Sequence, residues 1–182
     1  LLPFDKNHMV VESIKKTGVQ GLVFSTACAA IRKNVFDQLG GFQEHIIRNE
    51  DMLMAWQMLN LGLKTKYLPQ AVVRHSHNYS LKHNFQQYFD IGVFFSKYPE
   101  ILEHCSNTGK GFNRMIKGIK LLFKSGYFYL IPQLMLESLF KFLGYTLGKN
   151  SDKIPAKFQK AFSKNKNYWD KEKSLINLKE ID

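Results

Sequence analysis

Residues 52–61 are the segment that most limits how this chain can fold. They read Met-Leu-Met-Ala-Trp-Gln-Met-Leu-Asn-Leu, are apolar on nearly every side, and precede Gly62, a residue type that commonly ends helices. A helix that is apolar all round must be buried. With 182 residues, 45% of them hydrophobic and 14% aromatic, the chain is large enough to build a core around it and too apolar to be disordered.

Acidic residues stand at the start of this helix. Asn49 is a suitable N-cap, which places Glu50 and Asp51 in the first turn. The free amide groups and the helix dipole there favour ionised carboxylates by about 0.3–1 kcal/mol. The sequence therefore predicts two anionic side chains at neutral pH, although acids at this position are also common in helices without any function.

The segments around the helix predict an α/β arrangement. Residues 21–31 are uncharged and mostly small, which is typical of a strand buried on both faces. A short helix over 32–39 should end at Gly40 and Gly41. Two extended pieces follow the buried helix within residues 65–74, so we expect strands and helices to alternate in this part of the chain.

Two histidines at alternate positions follow the extended pieces. His75 and His77 lie on the same side of an extended chain, so one ligand could contact both. The competing interpretation is a pair of hydrogen-bonded residues at a strand end. A zinc site that adds His83 is disfavoured because no cysteine or acid completes it at a known spacing.

The C-terminal part is strongly basic. Residues 1–105 hold 11 Lys and Arg against 9 Asp and Glu, whereas residues 106–182 hold 15 against 6. Residues 110–124 predict an amphipathic helix that either packs on the core or lies on an anionic membrane surface. Only four of the 26 cations are arginines, which disfavours sequence-specific recognition of nucleic acid. The apolar stretch 127–148 is interrupted by polar residues, so we predict no membrane-spanning helix.

Five short motifs occur in order along the chain. They are Phe-Ser-Thr-Ala-Cys-Ala-Ala-Ile-Arg at 24–32, Leu-Gly-Gly-Phe at 39–42, Asn-Glu-Asp-Met at 49–52, Val-Arg-His-Ser-His-Asn-Tyr-Ser at 73–80, and Tyr-Phe-Asp-Ile-Gly-Val-Phe at 88–94. With this series the chain resembles the C-terminal half of a glycosyltransferase family 2 enzyme of the rhamnosyltransferase-like branch. The resemblance extends over most of the chain from about Gly21.

The resemblance implies an α/β fold of the GT-A type followed by a basic helical tail. In that fold an N-terminal unit carries a DxD motif that holds a divalent metal, Mg or Mn, on the diphosphate of the donor. This sequence has no DxD motif, and only about 20 residues precede the first matched motif. We therefore expect residues 1–105 to be the acceptor and catalytic half, residues 106–182 to be the tail, and the chain to be a fragment that is inactive alone.

The resemblance also implies residue roles. Asp51 matches the general base of an inverting transfer, and Glu50 beside it would hold the acceptor or a neighbouring cation. The other matched positions are Gly40, Gly41 and Phe42 on the acceptor side, and His75 and His77 for the metal or the diphosphate.

The expected reaction moves a sugar, with rhamnose as the guess from the family, from a nucleotide-diphospho donor to a glycan or lipid-linked acceptor in cell-envelope polysaccharide biosynthesis. The enzyme would be cytoplasmic and peripheral at the cytoplasmic face of an anionic membrane. Two alternatives stay open: a basic module without catalytic activity that binds anionic lipid or nucleic acid, and an interaction subunit that completes a separately encoded donor-binding partner.

Overall fold

The fold is helical throughout the described part of the chain. The computed structural model describes residues 17–75, 79–104 and 110–179, without the side chains of residues 110, 112 and 175–179. The α-helices in this part are α1 (Lys33–Gln38), α2 (Glu50–Asn60), α3 (Leu81–Lys97), α4 (Pro99–Glu103), α5 (Lys110–Lys124), α6 (Ile131–Lys149), α7 (Ala156–Phe162) and α8 (Lys166–Lys179). Short 3-10 helices occupy Gly18–Leu22, Thr26–Cys28, Phe128–Leu130 and Ser151–Lys153.

The predicted α/β fold of the GT-A type is wrong. Residues 17–75, 79–104 and 110–179 contain no strand, and only Thr65 forms an isolated bridge. The segment 21–31 forms parts of two 3-10 helices, and residues 25–30 are exposed. Its small side chains bury little apolar area, and no strand in the described part pairs with it. The backbone bonds locally instead, as when the Cys28 amide donates to the Ser25 carbonyl at 2.9 Å.

The chain divides into two compact units. Among the described residues, one unit is formed by 17–75 with 98–104, and the other by 79–97 with 110–179. Helix α3 therefore groups with the basic C-terminal part. The predicted domain boundary at residue 105 stays a prediction.

The core of the first unit is built around α2, as the sequence predicts. Six of the eleven residues of α2 are buried, and the 3-10 helix Gly18–Leu22 packs against both α2 and α4. The helix ends at Asn60, and Gly62 follows with φ 74°, as expected for a glycine stop. The Leu63 amide closes the end by donating to the Met58 carbonyl at 3.0 Å. The Trp56 ring lies 5.1 Å from the His104 ring. The predicted buried helix is confirmed.

Helices α3 and α6 form the centre of the second unit and approach each other through glycines. A methyl group added to Gly92 would meet the Tyr145 carbonyl oxygen, and one added to Gly148 would meet the Phe89 carbonyl oxygen. The two backbones are therefore in direct contact, which only residues without a Cβ allow. None of the described helices combines the length and the apolar composition needed to cross a bilayer.

A buried carboxylate fixes the start of α8 in the same unit. Asp90, on α3, is 1% exposed and accepts a hydrogen bond from Ser163 Oγ at 2.6 Å. It also accepts bonds from the backbone amides of Lys164 and Asn165 at 3.1 and 3.3 Å. These amides lie immediately before α8, so Asp90 acts as an N-terminal cap supplied by another helix.

Candidate functional site

The carboxylate of Asp51 lies half-buried in the first turn of α2. The Met52 amide donates a hydrogen bond to Asp51 Oδ1 at 2.8 Å, and the backbone amide of Thr26 donates to the same carboxylate. Asn49 precedes the helix in a left-handed conformation, with φ 62°, and its side chain makes no capping hydrogen bond. The predicted role of Asn49 as a side-chain cap is therefore wrong.

Burial raises the pKa of Asp51 above its ordinary value. The Met52 amide opposes this pKa shift, the neighbouring charge of Glu50 adds to it, and the Thr26 amide again opposes it. The helix dipole expected from the sequence favours the opposite direction, but burial outweighs it. A carboxylate with a raised pKa holds a proton more strongly, which is the property that a general base needs.

A cleft of about 410 Å³ opens next to the turn that contacts Asp51. Three phenylalanines line it together with two aliphatic and two polar residues. These are Phe24, Phe36 and Phe42, Ala29 and Ile31, and Thr26 and Lys33. Asp51 does not line the cleft itself, but Thr26 belongs both to the cleft lining and to the hydrogen bonds of Asp51, so one residue links the carboxylate to the cleft wall. Apolar walls with a few polar groups are typical of sites that bind small molecules.

The glycines and the phenylalanine of the turn Gly40, Gly41 and Phe42 have different structural roles. The predicted short helix and its stop are confirmed, because α1 ends before two glycines with φ 74° and 79°. These glycines do not line the cleft, whereas Phe42 does. The Phe42 ring meets the Phe36 ring edge to face at 5.4 Å. The glycines therefore set the turn that places Phe42 in the wall, and the acceptor-binding role of the three residues stays a prediction.

The histidines are the part of the predicted site with the least support. His75 is exposed and does not line the cleft, and His77 lies outside the described residues. In the described ranges no group of three or more His, Cys, Asp or Glu side chains could hold a metal ion. The predicted divalent metal, and the role of His75 and His77 in binding it, stay predictions.

The segment that carries His75 nevertheless passes beside the same turn. Cys28 Sγ lies 3.9 Å from the Ala71 carbonyl oxygen, and four residues of extended chain span at most about 14 Å. The Thr26–Cys28 turn therefore contacts both Asp51 and the chain leading to His75. Phe24, Thr26 and Phe36 were not predicted as cleft residues. Only the run of small residues around Thr26, which permits close approach to the backbone, could have indicated this turn.

Comparison with known proteins adds an independent observation. The chain is 43% identical over 157 residues to the O-antigen chain rhamnosyltransferase RfbN of Salmonella typhimurium, a match that covers 86% of this chain and 50% of the relative. The O-antigen chain rhamnosyltransferase WbaN of Salmonella anatum matches with the same identity and coverage. No family model matches, and no solved structure matches. The chain spans about half the length of these curated relatives and is similar to part of a rhamnosyltransferase.

Proposed function

We propose that this chain is the acceptor-side half of a glycosyltransferase in which Asp51 is the general base. The observation that carries the proposal is the shared position of Thr26, which lines the cleft while its amide holds the Asp51 carboxylate. A base must reach the proton it removes. The Asp51 side chain is only half-buried, and Thr26 links it to the cleft wall, so we propose that an acceptor hydroxyl in the cleft reaches it.

The proposed chemistry is an inverting displacement. Asp51 takes the proton of an acceptor hydroxyl as its oxygen attacks the anomeric carbon, and the bond from that carbon to the nucleoside diphosphate breaks. The two amides that donate to Asp51 hold the carboxylate in one orientation, while burial keeps its proton affinity high. Glu50 lies one residue earlier in the same turn and would contact the acceptor or a neighbouring cation.

The cleft wall supports a sugar as the acceptor. Flat aromatic rings such as those of Phe24, Phe36 and Phe42 offer apolar surfaces to the C–H faces of a sugar ring, and Lys33, which also lines the cleft, would donate hydrogen bonds to its hydroxyls. The relatives are named for transferring rhamnose to O-antigen chains. We therefore propose rhamnose as the donor sugar and a growing glycan, free or lipid-linked, as the acceptor, in a family 2 enzyme whose C-terminal half this chain represents.

The proposal is tested on a fusion of this chain with the portion of the relatives that it does not span. The assay measures release of nucleoside diphosphate from a panel of nucleotide sugars in the presence of O-antigen acceptors. Asp51→Asn should reduce transfer by about 100-fold or more, because general-base catalysis contributes about 10²–10⁴-fold. Donor binding, measured by calorimetry, should stay nearly unchanged.

Asp37→Asn is the matched control. Asp37 is an exposed carboxylate whose partner, Lys33, stands at the cleft rim 2.8 Å away, so the same isosteric change removes a charge near the site without removing the proposed base. It should keep most of the transfer rate. Near-normal turnover of Asp51→Asn would exclude Asp51 as the base, and a folded protein that releases diphosphate from no nucleotide sugar would refute the proposed activity.

A further inference from the structure

Helix α6 presents a continuous apolar face that nothing in the described chain covers. One side of α6 packs on α3 through Gly144 and Gly148. The residues on the other side are apolar and between 37% and 64% exposed. This face, called here the α6 outer face, consists of Met135, Leu136, Leu139, Phe142, Leu143 and Leu147, whose spacing places them on one side of a helix.

Aromatic side chains extend the apolar surface beyond the N-terminal end of α6. Tyr127, Phe128 and Tyr129 lie in the connection between α5 and α6 and are 53%, 62% and 64% exposed. Phe123 at the end of α5 is 72% exposed. Tyrosine combines an apolar ring with a polar hydroxyl and is enriched where a bilayer meets water. Soluble proteins rarely leave contiguous apolar patches of this extent uncovered.

The charge of the neighbouring helix α5, which packs on α6, indicates what covers this surface. Residues 110–136 contain five Lys and Arg and no acidic residue. Arg114, Lys117, Lys120 and Lys124 on α5 are all exposed. A second copy of this chain would bring two basic surfaces together and be repelled, whereas anionic lipid headgroups attract the cations and accept the apolar side chains beneath them.

We propose that the α6 outer face and the aromatic connection insert into the interface of an anionic membrane, with the lysines of α5 contacting the headgroups. The sequence alone indicates an amphipathic helix over 110–124 as the candidate for this role. The structure points to α6, because its outer face is the larger exposed apolar surface. A helix that lies in the interface buries its apolar side by about 5–10 Å and does not cross the bilayer.

Vesicle binding of the full chain tests the proposal. The chain should sediment with vesicles of phosphatidylcholine mixed with phosphatidylglycerol, and should bind pure phosphatidylcholine much less. The double variant Leu139→Glu/Phe142→Glu should lower the partition coefficient by at least about tenfold, because it places two charges in the inserted face. Lys117→Gln and Lys120→Gln should each lower binding to the anionic vesicles about fivefold.

Val72→Glu is the control for the charge change. Val72 is 79% exposed and belongs to the other unit, so the same kind of substitution there should leave vesicle binding unchanged. Because the replaced side chains are exposed, all variants should keep the circular dichroism spectrum of the parent chain. If the double variant loses that spectrum, Phe142→Glu alone should still reduce binding.

The remaining outcomes would overturn the proposal. Binding that no α6 variant reduces would exclude the outer face as the contact. A chain that ignores both vesicle types and dimerises in sedimentation equilibrium, with Phe142→Glu restoring the monomer, would identify a second copy as the occupant. The assay needs neither donor nor acceptor, and Asp51→Asn should bind vesicles normally, so failure here is distinguishable from failure of the proposed glycosyl transfer.

Discussion

Replacing Gly148 by alanine should destabilise the second unit, although alanine is the better helix former. A methyl group on Gly148 would lie 2.8 Å from the Phe89 carbonyl carbon and closer still to its oxygen, whereas non-bonded carbons prefer about 3.5–4.0 Å. Both atoms that Gly148 would meet belong to the backbone of α3, so no side-chain rotation relieves the contact. The two helices must instead separate by about 1 Å.

The expected decrease in the free energy of unfolding follows from that separation of the two helices. A gap of about 1 Å forfeits roughly a quarter to a half of the attraction across the contacts it opens, and overpacked cores lose about 1–3 kcal/mol. The higher helix propensity of alanine stabilises the helix by at most about 1 kcal/mol. The gain is smaller at Gly148 because α6 ends at Lys149. We expect the free energy of unfolding to fall by about 2 kcal/mol, which lowers the melting temperature by about 4–8 °C in a chain of this size.

Thermal unfolding followed by circular dichroism measures this effect. Gly111→Ala is the matched control, since a methyl group at this helical glycine meets nothing within 4 Å. It should leave the melting temperature unchanged or slightly higher. Gly144→Ala, whose methyl group would meet the Phe85 carbonyl oxygen, should behave like Gly148→Ala. An unchanged or higher melting temperature in both interface variants would refute the direct contact between the two backbones.

Two further predictions concern carboxylates. Asp90→Ala should lower the free energy of unfolding by about 3 kcal/mol in urea titration, because the Ser163 hydroxyl and two backbone amides lose a charged acceptor. Asp170→Ala, which removes only an exposed ion pair with Lys160, should cost less than about 1 kcal/mol, and equal losses would contradict this reasoning. The folded pKa of Asp51 is raised, so its contribution to stability is complete below the unfolded pKa and is lost as pH rises through the folded pKa. Asp51→Asn should therefore gain stability over the parent chain as titrations move from acid to neutral pH, and a difference independent of pH would disprove this prediction.

The helices were predictable because their signals are local. The apolar run of α2 and the glycine stop at Gly62 are both readable in the sequence, and the structure has both. The predicted sheet was not correct, because a strand needs partners that pair with it. The small, uncharged residues of 21–31 are compatible with a central strand, yet without a neighbouring strand in the described part they satisfy their backbone in 3-10 turns.

Only the local part of the candidate site was predictable, because contacts between residues distant in the sequence leave no local pattern. Asp51 could be predicted because its position in the first turn of a buried helix is visible in consecutive residues. Its contact with Thr26 joins positions 25 residues apart, and the edge-to-face packing of Phe36 on Phe42 depends on a turn through two glycines with positive φ. Periodicity reports which residues share a face, but it does not report which turns meet. The apolar outer face of α6 was likewise hidden, since its exposure depends on which side packs on α3.

The two interpretations of Asp51 make opposite demands on its surroundings. An acid that served only to stabilise the start of α2 would gain from the dipole and the free amides, and folding would lower its pKa. The Met52 and Thr26 amides do act in that direction, yet burial and the charge of Glu50 produce a net rise in the pKa. The ionised carboxylate therefore costs the fold stability at neutral pH. This rise in the pKa, together with the link through Thr26 to the aromatic-lined cleft, supports the proposed role of Asp51 in proton transfer.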